Sequence, residues 1–122
     1  MSLLVVGADH GGFQLKEDLK KTAGELGWLV QDVGTHSTEP VDYPDVAHKV
    51  ALEVLASADA LGLMVDGAGV GSAMAANKVP GIRAAVANGA QGTLLQAWDT
   101  AVAGAGTDDA WRREMAAVRN AL

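Results

Sequence analysis

Short apolar runs alternate with helix-length stretches along this sequence, and that alternation constrains the fold more than any other feature. Leu3–Val6 is an apolar run of strand length, and Trp28–Val33 is predicted as a second strand. Ala60–Val65 is apolar without alternation, as is typical of a strand buried on both faces. Further strands are predicted at Gly81–Ala87 and Thr100–Ala105. Strands that alternate with helices form a parallel sheet covered by helices on both sides. We therefore predict an α/β fold with a parallel sheet of about five strands.

The helices are predicted over residues 13–26, 45–58, 72–78 and 90–97, and from 108 to the C-terminus. In the first of them we place Lys16 on the outer, solvated face. Asp45 is positioned to cap the second helix. The sequence has no repeat, linker or low-complexity segment. We therefore treat residues 1–122 as a single domain.

The charge balance and the lack of cysteine exclude several classes of function. The net charge is −6, from nine basic and fifteen acidic residues, so the basic footprint of a general nucleic-acid binder is missing. With no cysteine, a disulfide framework, a thiolate metal site and a cysteine nucleophile are all excluded. The N-terminus has no basic region of the signal-peptide type, and no apolar run approaches the length of a membrane span. A cytoplasmic location and no membrane partner are expected.

Two glycine-containing loops lie where strands of the predicted sheet end, and ligands of such sheets bind at that edge. The loops are Gly7–Gly12 and Gly67–Gly71, and we place the site between them. In the second loop, which we call the glycine loop, Gly67, Gly69 and Gly71 alternate with Ala68 and Val70. Free N–H groups and a helix N-terminus there can bind an anion, either a phosphate or a developing enediolate oxygen. Equally, the glycines can serve only a tight turn with close packing.

Asp66 ends the buried apolar run and is expected to project from the strand tip into the cleft, where a carboxylate can act as a base. The alternatives are a solvated carboxylate or one that caps the following turn; we favour the site role. Asp9 and His10 follow the first strand at the same edge, and histidine suits proton transfer near neutral pH. Such a pair is as often structural as functional.

Other polar residues have both structural and functional interpretations. Tyr43, the only tyrosine, can hydrogen-bond a sugar hydroxyl or can anchor its loop. Asn77 closes the helix after the glycine loop, where its side chain can satisfy a terminal carbonyl. His36 and His48 are predicted to lie on the surface. Because no trio of His, Asp or Glu has metal-ligand spacing, no metal is predicted.

These residues, in this order, resemble the family of ribose-5-phosphate isomerase B and galactose-6-phosphate isomerase. The likeness is continuous from about residue 3 to residue 87. Besides the glycine loop, the matching segments are Gly7–Phe13 with Leu15 and Lys16, Asp32–Thr35, Asp42–Asp45, Ala75–Val79 and Gly81–Ala85.

The resemblance implies a Rossmann-like three-layer α/β/α sandwich that forms a homodimer, with each active site shared between the subunits. It also implies interconversion of aldose and ketose phosphates through a cis-enediolate, without metal or organic cofactor. In this family the glycine loop holds the enediolate oxygen, a role that falls here to residues 67–71. Asp9, His10 and Tyr43 would contact the sugar, and we add Asn77 and Asp99 to the substrate-binding set.

The sequence departs from the family pattern at the positions that carry the chemistry. Many relatives have a cysteine base at the position of Asp66, and others have a glutamate at the position of Ser72. The ring-opening histidine is replaced within Ala97–Thr100, and the phosphate-binding arginines and the C-terminal tail are missing.

Three functions therefore remain open. The one we favour is a diverged isomerase of a sugar or sugar phosphate, with Asp66, His10 and Ser72 as candidate catalytic residues. The second is a non-catalytic homologue that binds a sugar phosphate as a sensor or serves as a partner subunit. The third is a nucleotide binder that uses the glycine loop.

Overall fold

The computed structural model describes residues 3–67, 69–89 and 113–120. In chain order the elements are β1 (Leu3–Ala8), α1 (Phe13–Glu25), β2 (Leu29–Asp32), α2 (Tyr43–Leu55), β3 (Ala60–Asp66), α3 (Val70–Asn77), β4 (Ile82–Gly89) and β5 (Arg113–Asn120). None of the helices within these ranges is long and apolar enough to cross a membrane.

The five strands form one parallel sheet in the order β2-β1-β3-β5-β4. Side chains of β1 alternate between its two faces, as a strand requires. Leu4 and Val6 pack in the cluster that contains Ala23 of α1, whereas Val5 packs with Val50 of α2. α3 lies on the same face as α2, and its Ala76 belongs to the same cluster as Val5. The predicted Rossmann-like three-layer α/β/α sandwich is therefore confirmed.

β3 lies in the middle of the sheet and is buried along its whole length. It pairs with β1 on one side and with β5 on the other, so its backbone is hydrogen-bonded at both edges. A strand that is covered on both faces has no need of polar alternation, which explains the unbroken apolar run. Its last residue, Asp66, consequently lies at the centre of the carboxyl edge of the sheet.

The predicted positions of β1 to β4 and of the first three helices are confirmed within a few residues, but two predictions about helix boundaries and type are wrong. α2 begins at Tyr43 with Asp42 at the N-cap position, so Asp45 lies in the first turn and is not the cap. The final helix predicted from Asp108 is replaced over Arg113–Asn120 by β5. This strand fills the slot between β3 and β4, where pairing on both edges outweighs local helix propensity. The predictions for residues 90–97 and 100–105 lie outside the described residues.

Lys16 is fully buried, which corrects its predicted place on the solvated face of α1. Its Nζ atom donates to the two carboxylate oxygens of Asp32, at 2.9 and 2.7 Å, and to the carbonyl of Thr35. Lys20 reaches the same carboxylate at 2.8 Å. Burial alone would raise the pKa of Asp32, but the hydrogen bonds from both lysines and from the Gly34 N–H hold that pKa below its usual value. The hydrogen bond to Asp32 likewise raises the pKa of Lys20. This network joins α1 to the end of β2.

Candidate functional site

The two loops that the sequence predicts to flank the site are neighbours in the structure. The backbone N–H of Asp9 donates to the carbonyl of Val65 at 3.1 Å, which ties the end of β1 to β3. A methyl group placed on Gly11 would lie 3.8 Å from the Cα atom of Gly67. The β1–α1 turn and the glycine loop therefore share the carboxyl edge of the sheet, as predicted.

Asp9 stabilises the β1–α1 turn through its side chain. Its Oδ1 atom accepts a hydrogen bond from the Gly12 N–H at 2.9 Å, and the residue is 9% exposed. Gly12 lies against the backbone of β3: a methyl group on it would be 2.6 Å from the carbonyl carbon of Val65 and closer still to the carbonyl oxygen. Only glycine fits this approach, so the turn is packed onto the sheet with no space for a side chain.

Asp66 is 2% exposed, and both of its carboxylate oxygens are engaged. Oδ1 accepts a hydrogen bond from the Gly69 N–H, and Oδ2 accepts one from the hydroxyl of Ser72, which is itself fully buried. Gly69 has φ of 84°, the left-handed region that favours glycine. Of the alternatives for Asp66, the solvated carboxylate is wrong and capping of the following turn is what the structure shows. Whether this carboxylate also acts as a base stays a prediction.

The bond to Asp66 changes which amides of the glycine loop can meet a ligand. Because the Gly69 N–H donates to Asp66, it is already engaged. The first backbone bond that closes a turn of α3 runs from the Ala73 N–H to the Gly69 carbonyl, at 3.2 Å. The N–H groups of Val70 and Gly71 precede that bond and have no acceptor within the helix. They are the amides best placed to bind an anion at the α3 N-terminus.

His10 is exposed in the β1–α1 turn, and a backbone group from another segment orients its ring. Its Nδ1 atom accepts a hydrogen bond from the Val41 N–H at 3.2 Å. Val41 lies between β2 and α2, so a third segment of chain adjoins the site. Sequence reasoning did not identify Val41, because a backbone donor leaves no signature in side-chain identities.

Tyr43 lies against the glycine loop. It is the first residue of α2 and is 39% exposed. A methyl group on Gly71 would lie 2.5 Å from the Cε1 and Cζ atoms of the tyrosine ring. The structure therefore brings Tyr43 to the candidate anion site, and it places the aromatic ring on the surface of α3 that only a glycine leaves open.

Among the described residues, Asn77 is a predicted site residue that the structure does not bring to this edge. Asn77 ends α3, and its side-chain amide donates to the Ala84 carbonyl at 2.9 Å and accepts from the Ala84 N–H at 2.8 Å. This pairing braces α3 against β4, and substrate binding by Asn77 stays a prediction. Ala68 and Asp99 lie outside the described residues. His36 and His48 are exposed, as predicted.

The burial of Lys16 has a signal in the sequence. It lies seven residues before Ala23, which is two helical turns, and Ala23 is buried against the sheet. A lysine at the edge of an apolar stripe needs an acidic partner, because an unpaired buried charge is costly. Asp32 at the end of the next strand supplies that partner.

The contact between Tyr43 and Gly71 predicts a coupling between their substitutions. Gly71→Ala improves helix propensity by about 1 kcal/mol but forces the tyrosine ring to move. We expect Gly71→Ala to stabilise the Tyr43→Ala variant by about that amount and to give no gain, or a loss, when Tyr43 is present. Urea denaturation of the two single variants and the double variant measures the coupling. Equal effects of Gly71→Ala in both backgrounds would contradict the contact.

The chain was compared with protein families, curated proteins and solved structures. The sequence profile of the family described as ribose/galactose isomerase matches residues 4–97. The ribose-5-phosphate isomerase B of Escherichia coli is 44% identical over 86 residues, which cover 70% of this chain and 58% of the relative.

Solved structures of proteins with this name also align with the chain. Ribose-5-phosphate isomerase B of Clostridium thermocellum aligns with a TM-score of 0.67 at 46% identity, covering 69% of this chain and 57% of that protein. The type B ribose 5-phosphate isomerase of Trypanosoma cruzi aligns with a TM-score of 0.77 at 30% identity, covering 98% of this chain and 72% of that protein. This chain spans less than two thirds of the length of the curated relatives that it matches, for example 58% of the Escherichia coli protein.

Proposed function

Because this chain belongs to the ribose/galactose isomerase family, we propose that it is an aldose–ketose isomerase that acts on a sugar or sugar phosphate through a cis-enediolate. Relatives named ribose-5-phosphate isomerase B suggest a pentose phosphate as the first substrate to test. The observation that carries the proposal is the position of the glycine loop, which lies beside the Asp9–His10 turn and under Tyr43. A homodimer, as the resemblance implies, and the cytoplasmic location expected from the sequence are part of the same proposal.

The N-terminus of α3 provides the electrostatic part of the proposed chemistry. As a proton leaves carbon, negative charge develops on the neighbouring oxygen of the sugar. The N–H groups of Val70 and Gly71 and the positive end of the helix dipole stabilise that oxygen. Without a bound sugar they are held in place, because Asp66 fixes the start of the helix through Gly69 and Ser72. No metal ion is needed for this stabilisation.

Asp66 is the proposed proton acceptor. It occupies the position at which the resemblance implies a base in many relatives, and it lies directly behind the glycine loop. Since the residue is 2% exposed, the substrate carbon reaches it only if the glycine loop moves aside. The proposed mechanism therefore includes a shift of that loop when the sugar binds.

Hydrogen–deuterium exchange tests the isomerase and its base together. The protein is mixed with aldose and ketose phosphates and with free sugars in deuterated buffer, and NMR follows deuterium at C1 and C2. We expect exchange into one sugar, and a loss of at least about a hundredfold in Asp66→Asn. The asparagine keeps a carbonyl oxygen for the Gly69 N–H, and its amide can donate to the Ser72 hydroxyl, so the turn can be retained. Urea denaturation shows whether the Asp66→Asn variant is as stable as the wild type.

The matched control is Asp59→Asn. Asp59 is an exposed carboxylate just before β3, at the opposite edge of the sheet, so the same chemical change there should leave exchange intact. Asp66→Cys, which introduces the thiol implied by the resemblance, is expected to retain exchange. Unchanged exchange in Asp66→Asn would remove Asp66 as the base. If no sugar exchanges while one raises the melting temperature, the protein is a sugar-binding homologue without turnover.

A further inference from the structure

The imidazole of His10 is held by a backbone amide from a distant part of the sequence. Its Nδ1 atom accepts a hydrogen bond from the Val41 N–H at 3.2 Å, across 31 residues. The ring is exposed, yet one of its two nitrogens is used inside the protein. Only Nε2 remains to meet a ligand.

The Val41 N–H group belongs to the segment from Thr35 to Val41, and contacts at both ends hold this segment in place. The side chain of Val41 is partly buried and packs against the core cluster that contains Val46 and Val50 of α2. At the other end, the Thr35 N–H donates to the Ala8 carbonyl at 2.8 Å, and the Ala8 N–H donates to the Gly34 carbonyl at 2.7 Å. The Val41 amide is therefore presented to His10 by a segment anchored on both sides.

This geometry determines which nitrogen carries the proton. A neutral imidazole has one protonated nitrogen and one that accepts, and a backbone amide can only donate. Nδ1 is therefore the accepting nitrogen, and the proton is on Nε2. We propose that the Val41 N–H is a positioning group that holds His10 in the Nε2–H tautomer, so that His10 meets a sugar oxygen as a hydrogen-bond donor.

This inference rests on the proposed function only for the identity of the ligand. In an isomerase, a donor at Nε2 stabilises a carbonyl or hydroxyl oxygen of the substrate, and it does not compete with Asp66 for the proton on carbon. The tautomer itself is a property of the protein without sugar. It can therefore be measured even if no sugar is turned over.

The test is the ¹⁵N spectrum of histidine-labelled protein without sugar, at a pH where the imidazoles are neutral. The chain has three histidines, and the exposed His36 and His48 report the tautomer mixture of rings in solvent. We expect His10 to differ from both, with Nε2 protonated and Nδ1 hydrogen-bonded. Val41→Pro removes the N–H donor and should return His10 to the mixture shown by the other two. Val41→Ile keeps both the N–H and an apolar side chain against the core cluster, and should keep the wild-type His10 signals.

A second measurement does not depend on whether Val41→Pro folds. Hydrogen exchange of the Val41 amide should be about fivefold faster in His10→Ala, since one hydrogen bond of about 1 kcal/mol is lost from an exposed side chain. The proposal is overturned if wild-type His10 shows the same tautomer mixture as His36 and His48, if its Nδ1 is protonated, or if His10→Ala leaves the Val41 amide exchange unchanged. Failure of the isomerase proposal would instead appear as absent deuterium exchange with these NMR results intact.

Discussion

Replacing Gly12 by alanine is expected to destabilise the protein by about 3 kcal/mol or more. The new methyl group would lie 2.6 Å from the carbonyl carbon and 2.8 Å from Cγ1 of Val65. Val65 is in the central strand, which is paired on both sides, so its backbone cannot retreat. The β1–α1 turn must move instead, and it can do so only by losing the hydrogen bonds that Asp9 makes to Gly12 and to β3. Urea denaturation measures the loss.

Gly24→Ala is the matched control for that substitution. Gly24 lies inside α1, the helix that Gly12 precedes, and a methyl group there meets nothing within 4 Å. Alanine should stabilise this exposed helical position by about 1 kcal/mol. The same substitution is thus expected to lower stability at Gly12 and to raise it at Gly24. A Gly12→Ala protein as stable as the wild type would show that the turn is not packed against β3 as described.

Asp32→Ala is expected to cost about 3–5 kcal/mol, because it leaves the fully buried ammonium group of Lys16 without its carboxylate. Of the contacts described for that ammonium group, the Thr35 carbonyl and the half-buried Glu17 at 3.4 Å would remain. Lys16→Met should cost less, since the apolar stem is retained and Asp32 keeps its bond to Lys20 at 2.8 Å. Lys20→Met, at a partly exposed position, should cost under about 1 kcal/mol. Equal losses of unfolding free energy in these three variants would contradict a buried ion pair between Lys16 and Asp32.

The pH dependence of stability provides the control for Asp32. Its pKa in the folded protein lies below the ordinary value of 3.8. A depressed pKa means that the carboxylate contributes its stability at pH values above that ordinary value. The contribution is lost as the pH falls through the folded pKa. The difference in unfolding free energy between wild type and Asp32→Ala should therefore be constant near neutral pH and should shrink below about pH 4. A difference that does not change with pH would exclude an ionised Asp32.

The architecture and the location of the site could be predicted from the sequence because they depend on patterns that the chain repeats. Alternating apolar runs and helical stretches identified β1, β2, β3 and β4. The rule that ligands bind at the carboxyl edge of a parallel sheet then selected the two loops that the structure shows to be neighbours. The residues that could be located this way lie at the end of a strand, as Asp66 does, or directly after one, as Asp9 and His10 do.

The features that could not be predicted from the sequence depend on contacts between distant segments. β5 has a short apolar centre, Met115–Val118, which periodicity alone cannot distinguish from a buried helix. Its assignment as a strand requires knowledge of the open slot between β3 and β4. The burial of Lys16 depends on Asp32, and the orientation of His10 depends on Val41. In each case the partner residue can be recognised only once the fold is known.

The strand order has a consequence for how the chain reaches its fold during synthesis. β5 is the last strand of the described chain, yet it pairs with both β3 and β4 and separates them. When β4 has been synthesised, its final neighbour in the sheet has not yet been made. Until residues 113–120 emerge, one edge of β3, which is apolar from Ala60 to Val65, is open to pairing with another chain. The sheet is therefore completed only after residues 113–120 have emerged, and the interval before that is the period of greatest risk of aggregation.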